Sequence, residues 1–279
     1  MPLIVHALRD IDPAHLALLA QLSHSAAPVL RHPQCGLLDE AQPAERARIA
    51  SLCAQWQYDH AWVDARPLSS FGLVAMDMDS TLITIECVDE IADLQGLKAE
   101  VAAITERSMA GELDFASSLR ERVALLAGLP EAALDTVYQQ RLALQPGAER
   151  MLKQVHAAGL QTLLISGGFT FFTERLQQRL GLTHAIANRL EVHNGHLTGR
   201  VEGELIDAAA KARHLQRLRD AAGLQPDQTI AFGDGANDIP MFQAAAVSIA
   251  FRGKPALKHV ATACFDHVGL DGLLNLFPN

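Results

Sequence analysis

The chain has 279 residues, 23 Lys and Arg against 32 Asp and Glu for a formal charge of −9, and 49% hydrophobic but only 5% aromatic residues. That length allows one large or two modest domains, and the apolar fraction is ample for a buried core, which excludes a disordered chain. The acidic balance and scarce aromatic rings speak against a basic stripe along a phosphate backbone or a row of base-stacking rings, so no nucleic-acid partner is expected. Cys35, Cys53, Cys87 and Cys264 lie far apart with no C-x-x-C pair, as in a reduced compartment rather than a disulfide framework or a structural zinc site. The first ten residues lack a basic region before a long apolar run, and no stretch approaches the ~20 apolar residues of a membrane span. A cytoplasmic address with no membrane partner is the expectation.

Residues 1–70 lack the strand-then-glycine-loop rhythm that begins near Leu73, and are expected to form a separate small N-terminal α+β domain, a candidate regulatory module. Residues 3–8 read as a strand. Asp12 before Pro13 is an N-cap with proline at the first helical position, opening a helix through Leu16, Leu19 and Leu22. A second helix over 44–57 sets Ile49, Leu52, Cys53 and Trp56 on one apolar face.

From Leu73 onward, short apolar runs at 73–76, 162–165, 229–232 and 247–250 alternate with helical stretches, each run followed by polar or glycine-rich residues. This is the pattern of an α/β fold, a parallel sheet flanked by helices with ligands at the carboxyl ends of its strands. Two inserts interrupt it. The first, about 84–145, is helical by periodicity and long enough to cap the strand ends. The second, about 190–206, reads as a hairpin turning at Asn194-Gly195. His193 and His196 beside that turn are read as solvated residues rather than metal ligands.

The run ending in Asp77-Met78-Asp79-Ser80-Thr81 places two carboxylates two positions apart, on one face while strand geometry persists. Farther along, 157 residues after Asp77, Gly233-Asp234-Gly235-Ala236-Asn237-Asp238 again ends an apolar run in acids among glycines, which let the backbone approach a ligand closely. Carboxylates from two neighbouring strand ends make an oxygen-rich site of the kind Mg²⁺ prefers. A third run ends in Ser166-Gly167-Gly168 before a helix near Thr170, where a hydroxyl and free backbone N–H groups suit a phosphate. Lys211, near the start of a helix after Asp207, supplies a cation. Each element alone is weak; their order on three strand ends of one sheet points to a phosphate site.

These motifs resemble those of the haloacid-dehalogenase superfamily over about 72–264, and within it the phosphoserine phosphatases. The narrower likeness rests on Asp77-Met78-Asp79-Ser80-Thr81-Leu82 continuing to Glu86, and on Met109-Ala110-Gly111-Glu112-Leu113-Asp114-Phe115 continuing to Arg122. The resemblance implies a three-layer Rossmann-like core over 71–279 with a helical cap at about 84–145, and Mg²⁺-dependent hydrolysis of O-phospho-L-serine, the last step of serine biosynthesis. It makes Asp77 the nucleophile that forms an aspartyl phosphate and Asp79 the acid that protonates the leaving seryl oxygen and then activates water. The Asp77 carboxylate, the Asp79 backbone carbonyl and Asp234 would hold Mg²⁺, with Asp238 in support. Ser166, the Gly167 N–H, Lys211 and Asn237 would face the phosphoryl group. Glu86 would take the substrate ammonium and Arg122 its carboxylate, with Met109 and Phe115 as apolar lid contacts. Neighbouring carboxylates raise the pKa of Asp79 and a metal lowers it, two opposed effects that the sequence does not rank.

Met78 stands where relatives frequently carry phenylalanine, a difference in packing behind the loop. Two other readings remain at this stage: the same core acting on phosphothreonine or phosphohomoserine or transferring phosphate to an alcohol, and an amino-acid-sensing binding protein. The oligomeric state, monomer or homodimer, is left open.

Overall fold

The computed structural model describes residues 1–109 and 112–278, without the side chain of Met109. Ala110 and Gly111, part of the cap motif, and the lid contact expected of Met109 therefore lie outside the described residues.

The chain opens with β1 (Leu3–His6) and α1 (Pro13–Leu22), whose N-cap is Asp12, its carboxylate accepting the Ala14 N–H at 2.8 Å. Strands β2 (Val29–His32) and β3 (Cys35–Leu38) precede α2 (Arg46–Trp56), which buries Ile49 and Cys53, and β4 (Asp59–Trp62). Then come β5 (Leu73–Met76) and four helices, α3 (Cys87–Asp93), α4 (Lys98–Met109), α5 (Phe115–Ala124) and α6 (Ala132–Gln140). The rest alternates: α7 (Ala148–Ala157), β6 (Gln161–Phe169), α8 (Thr170–Leu180), β7 (His184–His193), β8 (His196–Glu202), α9 (Ala208–Ala221), β9 (Thr229–Gly233), α10 (Ile239–Ala244), β10 (Val247–Phe251), α11 (Pro255–Lys258), β11 (Ala263–Phe265) and α12 (Leu273–Leu276).

The strands form one sheet in the order β2-β3-β1-β4-β11-β10-β9-β5-β6-β7-β8. Its centre, β11 to β7, is parallel. Buried on both faces, β5 is apolar at every position: Val74 and Met76 face one core with Ile230 and Phe232, while Leu73 and Ala75 face another with Leu215, Met241 and Phe242. The three layers thus follow from the unbroken apolar runs.

The flanks are antiparallel. On one side β7 and β8 form the hairpin, with Asn194 and Gly195 at φ 51° and 74°, the left-handed pair a tight two-residue turn requires. On the other side β4 pairs with β11 through Ala61 opposite Ala263 and His60 opposite Cys264, so residues 1–62 lengthen the core sheet. They also hold a cluster of their own, Leu3, Val5, Leu16, Leu19, Ile49 and Cys53, between the sheet and the two N-terminal helices. No described helix is long and apolar enough to cross a membrane.

Candidate active site

The carboxyl ends of β5, β6 and β9 meet the cap helices at a cleft with about 320 Å³ of open space. Asp77, Asp79, Glu86, Phe115, Arg122, Ser166, Gly167, Asp234 and Asn237 all line it. The remaining two described site residues, Lys211 and Asp238, lie directly beneath and fully buried.

Asp77 follows β5, its N–H still paired with the Phe232 carbonyl of β9, which carries the acid to the floor of the cleft. Its Oδ1 accepts the Met78 N–H at 2.7 Å, and its Oδ2 accepts from Lys211 Nζ at 2.7 Å and from Asn237 Nδ2 at 3.4 Å. Lys211 Nζ also donates to Asp238 Oδ1 at 2.8 Å, and the other Asp238 oxygen takes the N–H groups of Asp234 and Gly235, both at 3.2 Å. Burial alone would strip the lysine of its proton; Asp238 and Asp77 overcome it and hold its pKa above the ordinary lysine value. The charge beneath Asp77 therefore persists across the physiological pH range.

One carboxylate oxygen each from Asp77, Asp234 and Asp238 lies within 4.8 Å of the others. An all-oxygen set with no nitrogen or sulfur ligand suits a hard divalent cation of the Mg²⁺ kind. Asp77 and Asp238 have partners on both oxygens, whereas the Asp234 carboxylate meets only the Thr81 hydroxyl at 3.4 Å and Lys254 Nζ at 3.8 Å, which leaves it the freest donor of the three.

Asp79 sits beyond a sharp turn. Its Oδ1 accepts the Cys87 N–H at 2.9 Å at the start of α3, and its Oδ2 faces the Ser166 hydroxyl at 3.4 Å. Burial, reinforced by the Asp77 charge and opposed by the Cys87 N–H and by Lys211, pushes its carboxyl up to about 6. Burial likewise lifts Asp234 to about 6, with Asp77 adding and Lys254 opposing, and Asp238 to about 7 against the pull of Lys211. Ser80, between Asp79 and the cap, is held at φ 56°, a left-handed conformation costly for a non-glycine residue. Gln145 donating to the Ser80 carbonyl and the Ser80 hydroxyl donating to Glu86 Oε1 at 2.7 Å hold that turn.

The serine-glycine loop is a bulge in β6. Pairing with β7 runs from Ile165 opposite Ile186 to Phe169 opposite Asn188, so four steps of β6 match two of β7. The excess residues turn Ser166, Gly167 and Gly168 into the cleft. A Cβ on Gly168 would lie 2.6 Å from Asp79 Oδ2, which only glycine avoids. Phe115 closes over the loop, its ring edge 3.1 Å from where a Gly167 Cβ would stand.

Glu86 and Arg122 face the cleft from α3 and α5. Desolvation by the cleft wall, with the Asp79 and Asp77 charges adding and the Ser80 hydroxyl opposing, pushes Glu86 up to about 7, although its open side stays exposed. Arg122, partly buried, is electrostatically balanced by Asp89, Glu86 and Asp79. Asp89 and Lys254 also line the cleft, and sequence reading missed both. Asp89 lies three residues past Glu86 on the same helical face, a spacing that signals a shared wall. Lys254, whose Nζ is 3.8 Å from Asp234 Oδ2, stands in a Gly-Lys-Pro turn after β10, the strand end next to β9. Asn188, mid-strand in β7, gave no signal at all.

A single parallel sheet between two helical layers, with acids at adjacent strand ends under a helical cap, defines a hydrolase of the haloacid-dehalogenase type. Residues 74–243 match the family model "haloacid dehalogenase-like hydrolase", and the chain belongs to that family. A phosphoserine phosphatase of Albidiferax ferrireducens is 50% identical over 215 residues, covering 75% of this chain and 91% of the relative. The crystal structure of a HAD-family hydrolase of Salmonella enterica serovar Typhi superposes with a TM-score of 0.90 at 32% identity, over 100% of this chain and 99% of the other. A substrate-bound phosphoserine phosphatase superposes with a TM-score of 0.70 at 40% identity, over 74% of this chain and 98% of the other.

Proposed function

We propose that the protein is a Mg²⁺-dependent phosphoserine phosphatase that releases L-serine and phosphate through an aspartyl phosphate on Asp77, serving serine biosynthesis in the cytoplasm. What supports the reading is one juxtaposition: the Asp77–Lys211 pair and the Ser166 loop share a cleft with Glu86 and Arg122, groups of opposite charge suited to the ammonium and carboxylate of an amino acid. The 50% identity to the Albidiferax phosphoserine phosphatase supports the same substrate.

In this reading Asp77 attacks phosphorus, and the bond to the seryl oxygen breaks as the bond to the carboxylate forms. Lys211, Asn237, the Ser166 hydroxyl and the Gly167 N–H meet the phosphoryl oxygens, so that charge spreading in the transition state falls on donors already in place. Asp79, its carboxyl lifted toward neutrality, gives its proton to the departing seryl oxygen and takes one from the water that later opens the aspartyl phosphate. Asp77, Asp234 and the Asp79 backbone carbonyl would hold Mg²⁺ with Asp238 in support; the ion supplies charge neutralisation between nucleophile and phosphate. Glu86 and Arg122 select the amino-acid end, and Phe115 covers it. We read residues 71–279 as the catalytic unit, with a cap at about 84–145, and residues 1–70 as an appended domain.

A metal-controlled phosphate-release screen tests this over phosphoserine, phosphothreonine, phosphohomoserine and sugar phosphates. Phosphoserine is expected to lead and to require the divalent cation. Preference for another ester by the wild-type protein would replace the substrate assignment and leave the covalent chemistry standing.

A further inference from the structure

Asn188 lines neither the cleft nor the carboxylate cluster, yet it is 1% exposed and uses both ends of its amide. Its Nδ2 donates to the Gly167 carbonyl at 2.8 Å, and its Oδ1 accepts the Ile206 N–H at 2.8 Å. The first contact grips the bulge in β6. The carbonyl and N–H of one trans peptide point in opposite directions. Holding the Gly167 carbonyl toward Asn188 therefore aims the Gly168 N–H away from it, and that N–H donates to Ser166 Oγ at 2.8 Å. With an oxygen lone pair so engaged, the serine is left with its own proton to offer into the cleft, on the side of Asp79 Oδ2.

The second contact acts on the lysine. Ile206 immediately precedes Asp207, whose carboxylate caps α9 by accepting the Ala210 N–H at 2.7 Å. Lys211 follows one residue later, its N–H bonded to the Asp207 carbonyl. One buried amide thus joins the loop that presents Ser166 to the start of the helix that presents Lys211.

We propose that Asn188 is a positioning residue for phosphoryl transfer: through the Gly167–Gly168 peptide it sets the direction of the Ser166 hydroxyl, and through Ile206 it fixes that loop relative to the lysine helix. This rests on the reading of the cleft as a phosphomonoesterase site in which Ser166 faces the phosphoryl group. Because it concerns the phosphoryl end alone, it applies equally to phosphoserine and to an aryl phosphate.

A double-mutant cycle separates positioning from mere support of the fold. kcat and KM are measured on phosphoserine and p-nitrophenyl phosphate for the wild type, Asn188→Ala, Ser166→Ala and the double variant, with thermal midpoints for each. Asn188→Ala is expected to lower kcat about 10- to 100-fold on both substrates. Its effect on the KM for phosphoserine should be less than about threefold, since Glu86 and Arg122 are untouched. Added to Ser166→Ala, it should cost several-fold less than it does alone, because the hydroxyl it directs is gone and only its hold on the lysine helix remains. Equal fold-losses in both backgrounds would overturn the proposal, since a general loss of folded enzyme multiplies through unchanged. Asn188→Leu fills the same space without hydrogen-bonding capacity; it carries the cycle if the alanine variant does not fold, and wild-type kcat in it would also overturn the proposal. Turnover of the aryl phosphate but not of phosphoserine would refute the substrate assignment, while the cycle on the aryl phosphate would still decide the role of Asn188.

Discussion

The catalytic cleft and the seam where residues 1–62 join the core both bury polar groups, and they balance them in opposite ways. At the seam, the Asp59 carboxylate, 4% exposed, accepts three backbone N–H groups, those of Asp266, His267 and Val268, at 2.8–2.9 Å. His6, wholly buried in β1, stays neutral, its ring edge-on to Phe265 and its Nδ1 beside Asn275 Nδ2. The cleft instead gathers Asp77, Asp79, Asp234, Asp238 and Glu86 around Lys211 and Arg122, and four of those five carboxyls are lifted in pKa. Where the structure only has to hold, the buried carboxylate is fully partnered, although His6 Nε2 and Trp62 Nε1 stay buried without a hydrogen-bond partner. Where it has to act, carboxylate charge is left over for a cation and a phosphate ester to complete.

The sharpest way to break that contrast is to remove charge from each region in turn. Asp77→Asn keeps the shape of the floor but removes the proposed nucleophile, and phosphate release should fall by at least about 10³-fold. The seam should be untouched, so the urea midpoint should not drop. Residual turnover near the wild-type rate would exclude covalent catalysis by Asp77. Asp59→Ala does the reverse. It strands three N–H groups and should cost about 3 kcal/mol by urea unfolding, with kcat on phosphoserine unchanged. A comparable loss of kcat would mean that the seam and the cleft are one mechanical unit.

Within the cleft, Arg122→Ala should raise KM for phosphoserine about 100-fold while changing KM for p-nitrophenyl phosphate only a few-fold, since the aryl ester has no carboxylate to lose. Equal changes on both would remove Arg122 from substrate selection and return it to the role of counter-ion for Asp89.

The same contrast governs what could be read from the sequence. The cleft was legible because its parts obey local rules: unbroken apolar runs mark β5, β9 and β10, and the acids and glycines follow at their ends. The Asp12-Pro13 helix start and the Asn194-Gly195 turn are equally local, and the structure has both. The seam was not legible. The strands β2, β3 and β4 are four residues each and carry His, Arg, Gly and Asp, without the alternation that marks a strand. The pairing of β4 with β11 joins residues about 200 positions apart, and Asp59 finds its partners only in three dimensions. Asn188 escaped for the same reason, since its amide serves a bulge whose existence depends on register.

The smallest expected effect sets the two regions against each other on a single axis, pH. Burial, with the nearby His60 and His32 charges, drives His6 from 6.5 to about 3 in the folded state. Between those values the unfolded chain binds one more proton than the folded one, so stability is fully present above pH 6.5 and is lost as pH falls toward 3. The slope is at most about 1.4 kcal/mol per pH unit. His60, lowered to about 4 but less enclosed, adds a smaller contribution of the same sign. The metal-free cleft runs the other way: Asp79 and Asp234, lifted from 3.8 to about 6, make the folded state the better proton binder over that interval. Their contribution is present below pH 4 and is lost as pH rises through 6. Acid therefore relieves the cleft while it charges the seam histidines; since Asp238, Glu86 and the seam's own Asp59 are lifted as well, the carboxyls outweigh the histidines and wild-type stability should fall as pH rises from 4.5 to 6. His6→Gln removes one arm, so its stability, followed by urea midpoints without divalent cations, should rise relative to wild type as pH falls. Asp79→Asn removes part of the other and should lessen the stability gained as pH falls. If His6→Gln left the pH profile unchanged, the seam would have to be admitting water to His6, and the contrast between a sealed seam and a cleft open to ligand would fail at its most buried residue.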